Sequence, residues 1–387
     1  MKFKAKYIND IMILCCIVIT LFTSIKDDVS VESSILTNFF TETKNVLEKL
    51  PDKIFNTTLF SQLSVTPSSS TIDFIGPWLS EFKYHELYFH QKYINESIQV
   101  VHMKDLYVTR QCIFFTNNSF YYVRPTCQFD YKNSLNGSRV VSGFYNSVIA
   151  ICHIWTHNYG HIVFDVLVPL ALLPQSVHNN SYIVVTSKVK YVVQMLKIFD
   201  YEPYQILCIG TRELIYGENV YTVSPHSFYN FQQITLMKFR DHCLRKYHLN
   251  QFPPFRFCFF NRNGQRNIAN LDTVMLGIAE DFPDYKWEKR RTFIQAIDTV
   301  MYLNEVLLFF GPHGADVANI VFLQEASIVC EIQANTFVSC YLIISNLLGL
   351  HHIIGRLPTM EFSQVTHNVL PYALAYQMIE QALKYIE

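Results

Sequence analysis

From residue 182 to the carboxyl end, short apolar runs alternate with stretches whose apolar positions recur every three or four residues, the signature of strands interleaved with helices. Strands are expected at 182–186, 205–208, 255–260, 285–289, 307–310, 328–332 and 350–354, with an extended segment at 214–223. Helices are expected at 188–199, 231–247, 270–280, 292–303, 315–323 and 337–348. Pro371 starts a final helix in which Leu374, Met378, Ala382 and Ile386 share one face. The runs are apolar on consecutive positions, as strands buried on both faces require, so the class is α/β with parallel sheet. Residues 76–148 differ: short β-rich pieces at 84–88, 97–101, 111–115, 120–123 and 140–141 suggest a meander. Residues 26–75 read as stem or linker, with local helix at 39–50. Pro253-Pro254 breaks the chain and divides an amino-terminal unit, 76–252, from a carboxyl-terminal one, 253–387.

Charge changes the picture only at the amino end. Lys2, Lys4 and Lys6 precede an apolar run at 11–25, and Lys26-Asp27-Asp28 follows it. That asymmetry predicts a cytosolic tail at 1–10, a transmembrane signal anchor at 11–25 and a translocated body. A cleaved signal peptide is the alternative, but no A-x-A site follows the run. A single-pass type II protein of the Golgi or endoplasmic reticulum membrane is the expectation. Five N-x-[ST] triplets, at Asn56, Asn95, Asn117, Asn136 and Asn179, all lie beyond the run and agree with a lumenal body. Cys112 and Cys127 flank a Tyr-rich segment and are candidates for a short disulfide loop. A net charge of −1 gives no reason to expect a nucleic-acid partner.

Two stretches concentrate chemistry. In 307–333, Gly311-Pro312 is expected to end a strand, and His313-Gly314-Ala315 then opens a helix, where free backbone N–H groups favour anions. Arg262 and Arg266 follow the 255–260 strand and Arg290-Arg291 the 285–289 strand, so a doubly wound sheet would bring these cations to the rim holding His313. In 154–173, Asn158-Tyr159-Gly160 precedes a helix that sets His161 and Asp165 one turn apart, an imidazole with a carboxylate to orient it. His161 is then a general base, with Asp165 itself the competing candidate. No Asp-x-Asp triplet and no Cys/His spacing for zinc occurs, so no metal or other cofactor is expected.

FNRNGQRNIAN, TFIQAI, GPHGADVANIVFLQEASIVCEI and NYGHIVFDVLVPLALL stand in the order found in glycosyltransferase family 61, and over roughly residues 150–335 the chain resembles that family. The resemblance implies a GT-B-like architecture, two Rossmann-like lobes facing a cleft. It also implies an inverting transfer of sugar from a nucleotide-sugar donor to a hydroxyl of a glycan or glycoprotein acceptor. By the same resemblance Arg262, Arg266, His313, Gly314 and Ala315 hold the donor diphosphate, and Glu331 meets a ribose. The chain departs from the family at Asp316-Val317-Ala318, where the family more often has a small residue, Leu and Thr. A non-catalytic, membrane-tethered homologue that binds glycan or nucleotide is the alternative reading; a lumenal phosphohydrolase has less support, because no paired-carboxylate site is visible.

Overall fold

The computed structural model describes residues 54–60, 71–75, 98–116, 120–121, 139–151, 157–224, 233–291, 295–362 and 368–386. The expected anchor at 11–25, three of the five sequons and Cys127 lie outside them. Among the described residues no helix is long and apolar enough to cross a membrane.

The strands are β1 (Ile54–Phe60), β2 (Ile72–Ile75), β3 (Ile98–Thr109), β4 (Phe114–Phe115), β5 (Phe120–Tyr121), β6 (Val140–Ile149), β7 (Tyr182–Val185), β8 (Ile206–Cys208), β9 (Glu213–Ser224), β10 (Arg256–Phe259), β11 (Trp287–Lys289), β12 (Val306–Pro312), β13 (Ile328–Gln333) and β14 (His351–Arg356). They form two sheets. The second, β11-β10-β12-β13-β14-β2, is parallel throughout. Its pleat divides the core. Leu308, Phe310, Ile328, Cys330 and Ile332 pack on one face with helices Leu271–Asp281 and Tyr372–Leu383, while Phe309 and Val329 face the other way, towards the first sheet. Apolar residues on consecutive positions are what burial on both faces demands.

The first sheet, β5-β4-β3-β9-β6-β7-β8 with β1 on β3, is mixed. β6, β7, β8 and β9 run parallel, whereas β1, β3, β4 and β5 extend it antiparallel. A Rossmann-like sheet was expected here, and only its parallel half matches. Two of the expected short pieces are longer strands, β3 with 12 residues and β6 with 10, while the extended segment expected at 214–223 is β9. Asp105, inside β3, has φ +56°, a left-handed residue that skips a partner on β9 and looks like a turn in sequence.

Two further differences concern the second sheet. Ile72–Ile75, expected in the stem, is its edge strand, parallel to β14. Pro312 does not stop β12 but pairs with Ile332. Its missing N–H falls on the side of β10, which has already ended; the Phe260 N–H to Phe310 carbonyl bond is the last between those strands. The buried helix expected at 315–323 is present as a 3₁₀ helix, Ala315–Phe322.

One core cluster joins the sheets. Ile149, Ile183, Leu196 and Phe239 from the first half pack with Phe309, Val317, Ile320 and Tyr341 from the second. Helices Gln233–Tyr247, Ala296–Asn304, Ala315–Phe322 and Cys340–Leu347 fill the space between them. The junction is therefore a packed apolar surface, and the polar groups along it stand out.

Candidate functional site

The strand ends of the second sheet gather the basic residues as the sequence reading expected. After β10 the chain loops from Asn261 to Ile268. The Asn261 side chain holds that loop shut, accepting from the Arg262 and Ile268 N–H groups at 2.9 and 3.1 Å and donating to the Ile268 carbonyl at 2.7 Å. Asn261 was not singled out from sequence, although an Asn straight after a strand is the usual sign of such a side-chain-closed turn. The loop presents Arg262 and Arg266. Arg262 lies over Gly314, where an added Cβ would sit 1.4 Å from its Nη1. Arg266 stacks on the Phe362 ring at 4.2 Å, and His313 lies 5.6 Å from the same ring.

These guanidinium groups are incompletely partnered. Arg262 Nη1 and Arg266 Nε and Nη1 are buried with no hydrogen-bond partner among the described residues. Burial first, then the neighbouring Arg262 charge, brings the Arg266 guanidinium down to about 10. Arg266 also has φ +59°, an uncommon conformation for a side-chain-bearing residue. Buried donors without acceptors, on a strained backbone, are costly unless a ligand completes them.

Behind them lies a buried polar chain. His313 Nδ1 donates to Glu331 Oε1 at 2.5 Å, His352 Nε2 donates to Glu331 Oε2 at 3.0 Å, and Ser345 Oγ donates to His352 Nδ1 at 2.8 Å. The Glu331 and His352 side chains have no exposed surface. Burial raises the Glu331 carboxyl, but His313 and His352 outweigh it and hold the group at about 2. Each carboxylate oxygen of Glu331, on β13, thus accepts from a histidine.

Asp316, the departure from the family pattern, is paired. Arg290 Nη1 donates to its Oδ1 at 2.8 Å, so the carboxylate next to the anion-binding turn is neutralised by the cation ending the neighbouring strand. Arg290 is thus engaged by Asp316, and Arg291 is exposed.

The other half of the site comes from 157–170. Asn158 caps Tyr159–Ile162 by accepting from the Gly160 N–H at 3.0 Å. The helix widens into a π turn at Val163–Leu167, closed by the Val168 N–H to Val163 carbonyl bond. Pro169 explains the widening, since it has no N–H to offer the Asp165 carbonyl. His161 Nδ1 donates to Asp165 Oδ2 at 2.6 Å, which orients the imidazole. The Asp165 side chain is wholly buried and His161 is 11% exposed, so of the two candidate bases His161 is the one that reaches solvent. Tyr159–Ile162 packs against Ala315–Phe322, and the Tyr159 hydroxyl donates to Asn319 Oδ1 at 2.7 Å. The imidazole pair and the His-Gly-Ala turn therefore flank one junction. Beside it opens a cleft of about 430 Å³, lined by Tyr159, Lys190, Gln194, Arg290, Thr299 and Asp316.

The comparison with known proteins follows the same residues. The Glycosyltransferase 61 family model matches residues 159–330, from the Tyr159 helix to the middle of β13. Over those residues the chain is similar to glycosyltransferase 61 sequences. Curated relatives agree: the chain is 25% identical over 187 residues to the EGF domain-specific O-linked N-acetylglucosamine transferase of Mus musculus. It is 22% identical over the same length to the Canis lupus familiaris protein of that name. Each match covers 43% of this chain and 35% of the relative, so the chain spans about a third of the length of the proteins it resembles. The matched region contains Arg262, Arg266, His313 and the His161–Asp165 pair; His352 and Ser345 lie beyond it.

Proposed function

We propose that this chain is an inverting glycosyltransferase of GT-B type, moving a sugar from a nucleotide-sugar donor to a hydroxyl of a glycan or glycoprotein acceptor. The observation that carries the reading is the set of buried, unpartnered guanidinium N–H groups on Arg262 and Arg266 beside the His313-Gly314 turn. A diphosphate has the charge and the acceptor geometry to complete them. The relatives are named for N-acetylglucosamine transfer, which makes a nucleotide-activated N-acetylglucosamine the first donor to test.

In this mechanism the acceptor enters the cleft beside Tyr159 and His161 Nε2 takes the proton from its hydroxyl. The freed oxygen attacks the anomeric carbon from the side opposite the diphosphate, and the bond from that carbon to the diphosphate oxygen breaks. Charge then builds on the departing diphosphate, where Arg262, Arg266, His313 and the N–H groups opening Ala315–Phe322 stabilise it. Two arginines do the neutralising that a divalent ion does elsewhere, so the reaction is metal-independent. The body works in the lumen of the Golgi or endoplasmic reticulum behind the amino-terminal anchor. Cys112 is disulfide-bonded to a cysteine outside the described residues, which fits an oxidising compartment.

The test uses the purified full chain with a panel of nucleotide sugars, with and without EDTA, reading thermal stabilisation and nucleotide release. One donor should stabilise the protein and be turned over in both conditions. Arg266→Ala should lose both, and His161→Ala should keep the stabilisation and lose turnover. Binding without turnover for every donor and acceptor would favour a non-catalytic homologue. No stabilisation by any nucleotide would refute the donor site.

A further inference from the structure

The chain Ser345–His352–Glu331–His313 runs across two strands and a helix with Glu331, His352 and Ser345 all fully buried. A buried carboxylate is an expensive way to fill space, because apolar residues of the same volume pack there at less cost. Nothing in the packing of β13 against β14 calls for one: Val329, Cys330 and Ile332 on the same strand, and Ile353 and Ile354 beside them, are apolar. Among the described residues, His313 is the end of this chain that lies at the Gly314 turn.

The hydrogen bonds have one consistent assignment. An ionised carboxylate only accepts, so both histidines give it an N–H. His352 uses Nε2–H for this, and its Nδ1 accepts from the Ser345 hydroxyl. His313 uses Nδ1–H, which leaves Nε2 as its one free nitrogen. Gln333 Nε2 lies 3.3 Å from His313 Nδ1, but Nδ1 carries the proton given to Glu331 and cannot also accept; the Gln333 amide donates to the Val338 carbonyl at 3.0 Å and accepts from its N–H at 3.3 Å. The 2.5 Å contact with Glu331 therefore sets the ring. Tyr341 and Phe362 flank the imidazole at 5.3 and 5.6 Å and limit its rotation.

We propose that Glu331, His352 and Ser345 are positioning residues for the donor site: they fix the angle of His313 so that Nε2 is aimed at the diphosphate beside Arg262 and Arg266. The inference rests on the donor-site reading above and extends it to residues outside the family match. Donation from Nε2 to a diphosphate requires a proton on both ring nitrogens, and Glu331, held on Nδ1–H, is the counter-ion for that form; His352 keeps the second carboxylate oxygen satisfied, and Ser345 locks His352 in the tautomer that donates from Nε2. Groups that orient a ligating or catalytic histidine in this way typically matter by about 10–100-fold.

The test measures binding of inorganic pyrophosphate and of uridine diphosphate to the full chain by calorimetry, with thermal unfolding of each variant in parallel. Ser345→Ala removes the hydroxyl without adding bulk, Ser345→Thr restores it, and Glu331→Gln breaks the centre of the chain. Positioning predicts that Ser345→Ala weakens both ligands by about 10-fold or more while remaining folded, that Ser345→Thr recovers affinity, and that Glu331→Gln loses it. If Ser345→Ala only lowers the melting temperature and the folded protein binds both ligands as the wild type does, the residues are structural and the inference falls. A wild type that binds neither ligand overturns the donor-site reading itself, which is a different result from a variant that binds normally.

Discussion

Replacing Arg266 with methionine should make the ligand-free protein more stable while abolishing its response to nucleotide. Arg266 is 7% exposed, with Nε and Nη1 lacking partners among the described residues. Each buried donor left unsatisfied costs about 1–3 kcal/mol relative to a solvated one. Proximity to Arg262 adds repulsion, seen in the downward push on the Arg266 guanidinium. Methionine keeps an unbranched stem over the Phe362 ring. The sulfur–aromatic contact, about 0.3–1.5 kcal/mol, roughly replaces the cation–π contact of about 0.5–1 kcal/mol. The backbone at φ +59° is equally strained for both residues, so it cancels. The net expectation is a gain of about 1–3 kcal/mol without ligand, read as a higher urea midpoint at unchanged slope. With ligand the order reverses: nucleotide at 100 times its Kd stabilises the wild type by about 2.7 kcal/mol and Arg266→Met not at all. An Arg266→Met protein less stable than wild type by more than about 1 kcal/mol in the absence of ligand would mean that these N–H groups are already satisfied, and the argument for an anion site would lose its foundation.

Other outcomes follow from single contacts. Gly311→Ala would set a Cβ 2.4 Å from the Phe260 carbonyl oxygen and 2.6 Å from its ring, where backbone cannot yield, so urea unfolding should show a loss of about 1–3 kcal/mol. His178 accepts from the Tyr201 hydroxyl at Nδ1 and donates to the Leu170 carbonyl from Nε2; burial, ahead of the opposing Leu170 bond, pushes it down to about 4. The unfolded chain then binds the extra proton between about pH 6.5 and 4, so stability is complete above that window and falls by up to about 3 kcal/mol through it. His178→Gln should flatten that part of a pH–stability curve. Asp316→Ala breaks a partly exposed ion pair with Arg290 and should change stability by no more than about 1 kcal/mol in the same assay.

The second sheet was legible because strands buried on both faces announce themselves as apolar runs, and the glycines and arginines at their ends follow in fixed order. In the first sheet β7, β8 and β9 were legible, but the antiparallel part was not: β3 is a half-buried strand crossed by polar residues, and the left-handed Asp105 in its middle mimics a turn. Ile72–Ile75 owes its place to a partner nearly 280 residues away, as the Thr71–His351 hydrogen bond shows, and local pattern does not encode such a pairing. The His313–Glu331 pair is visible only once β12 and β13 are seen to be neighbours, and His352 only once β14 joins them.

What sequence singled out was a set of residues at which the structure is locally unusual. The chain breaks its own local rules at three places: a π turn at Asp165, a left-handed arginine at 266, and a glycine at 314 that makes room for Arg262. Each sits within one of the motifs that carried the family resemblance, and each is locally unfavourable in the ligand-free chain. Pro169 accounts for the first locally, whereas an asparagine at 266 and an alanine at 314 with a shifted arginine would be easier to accommodate. Under the proposed function, a diphosphate between Arg262, Arg266 and His313 would recompense those two.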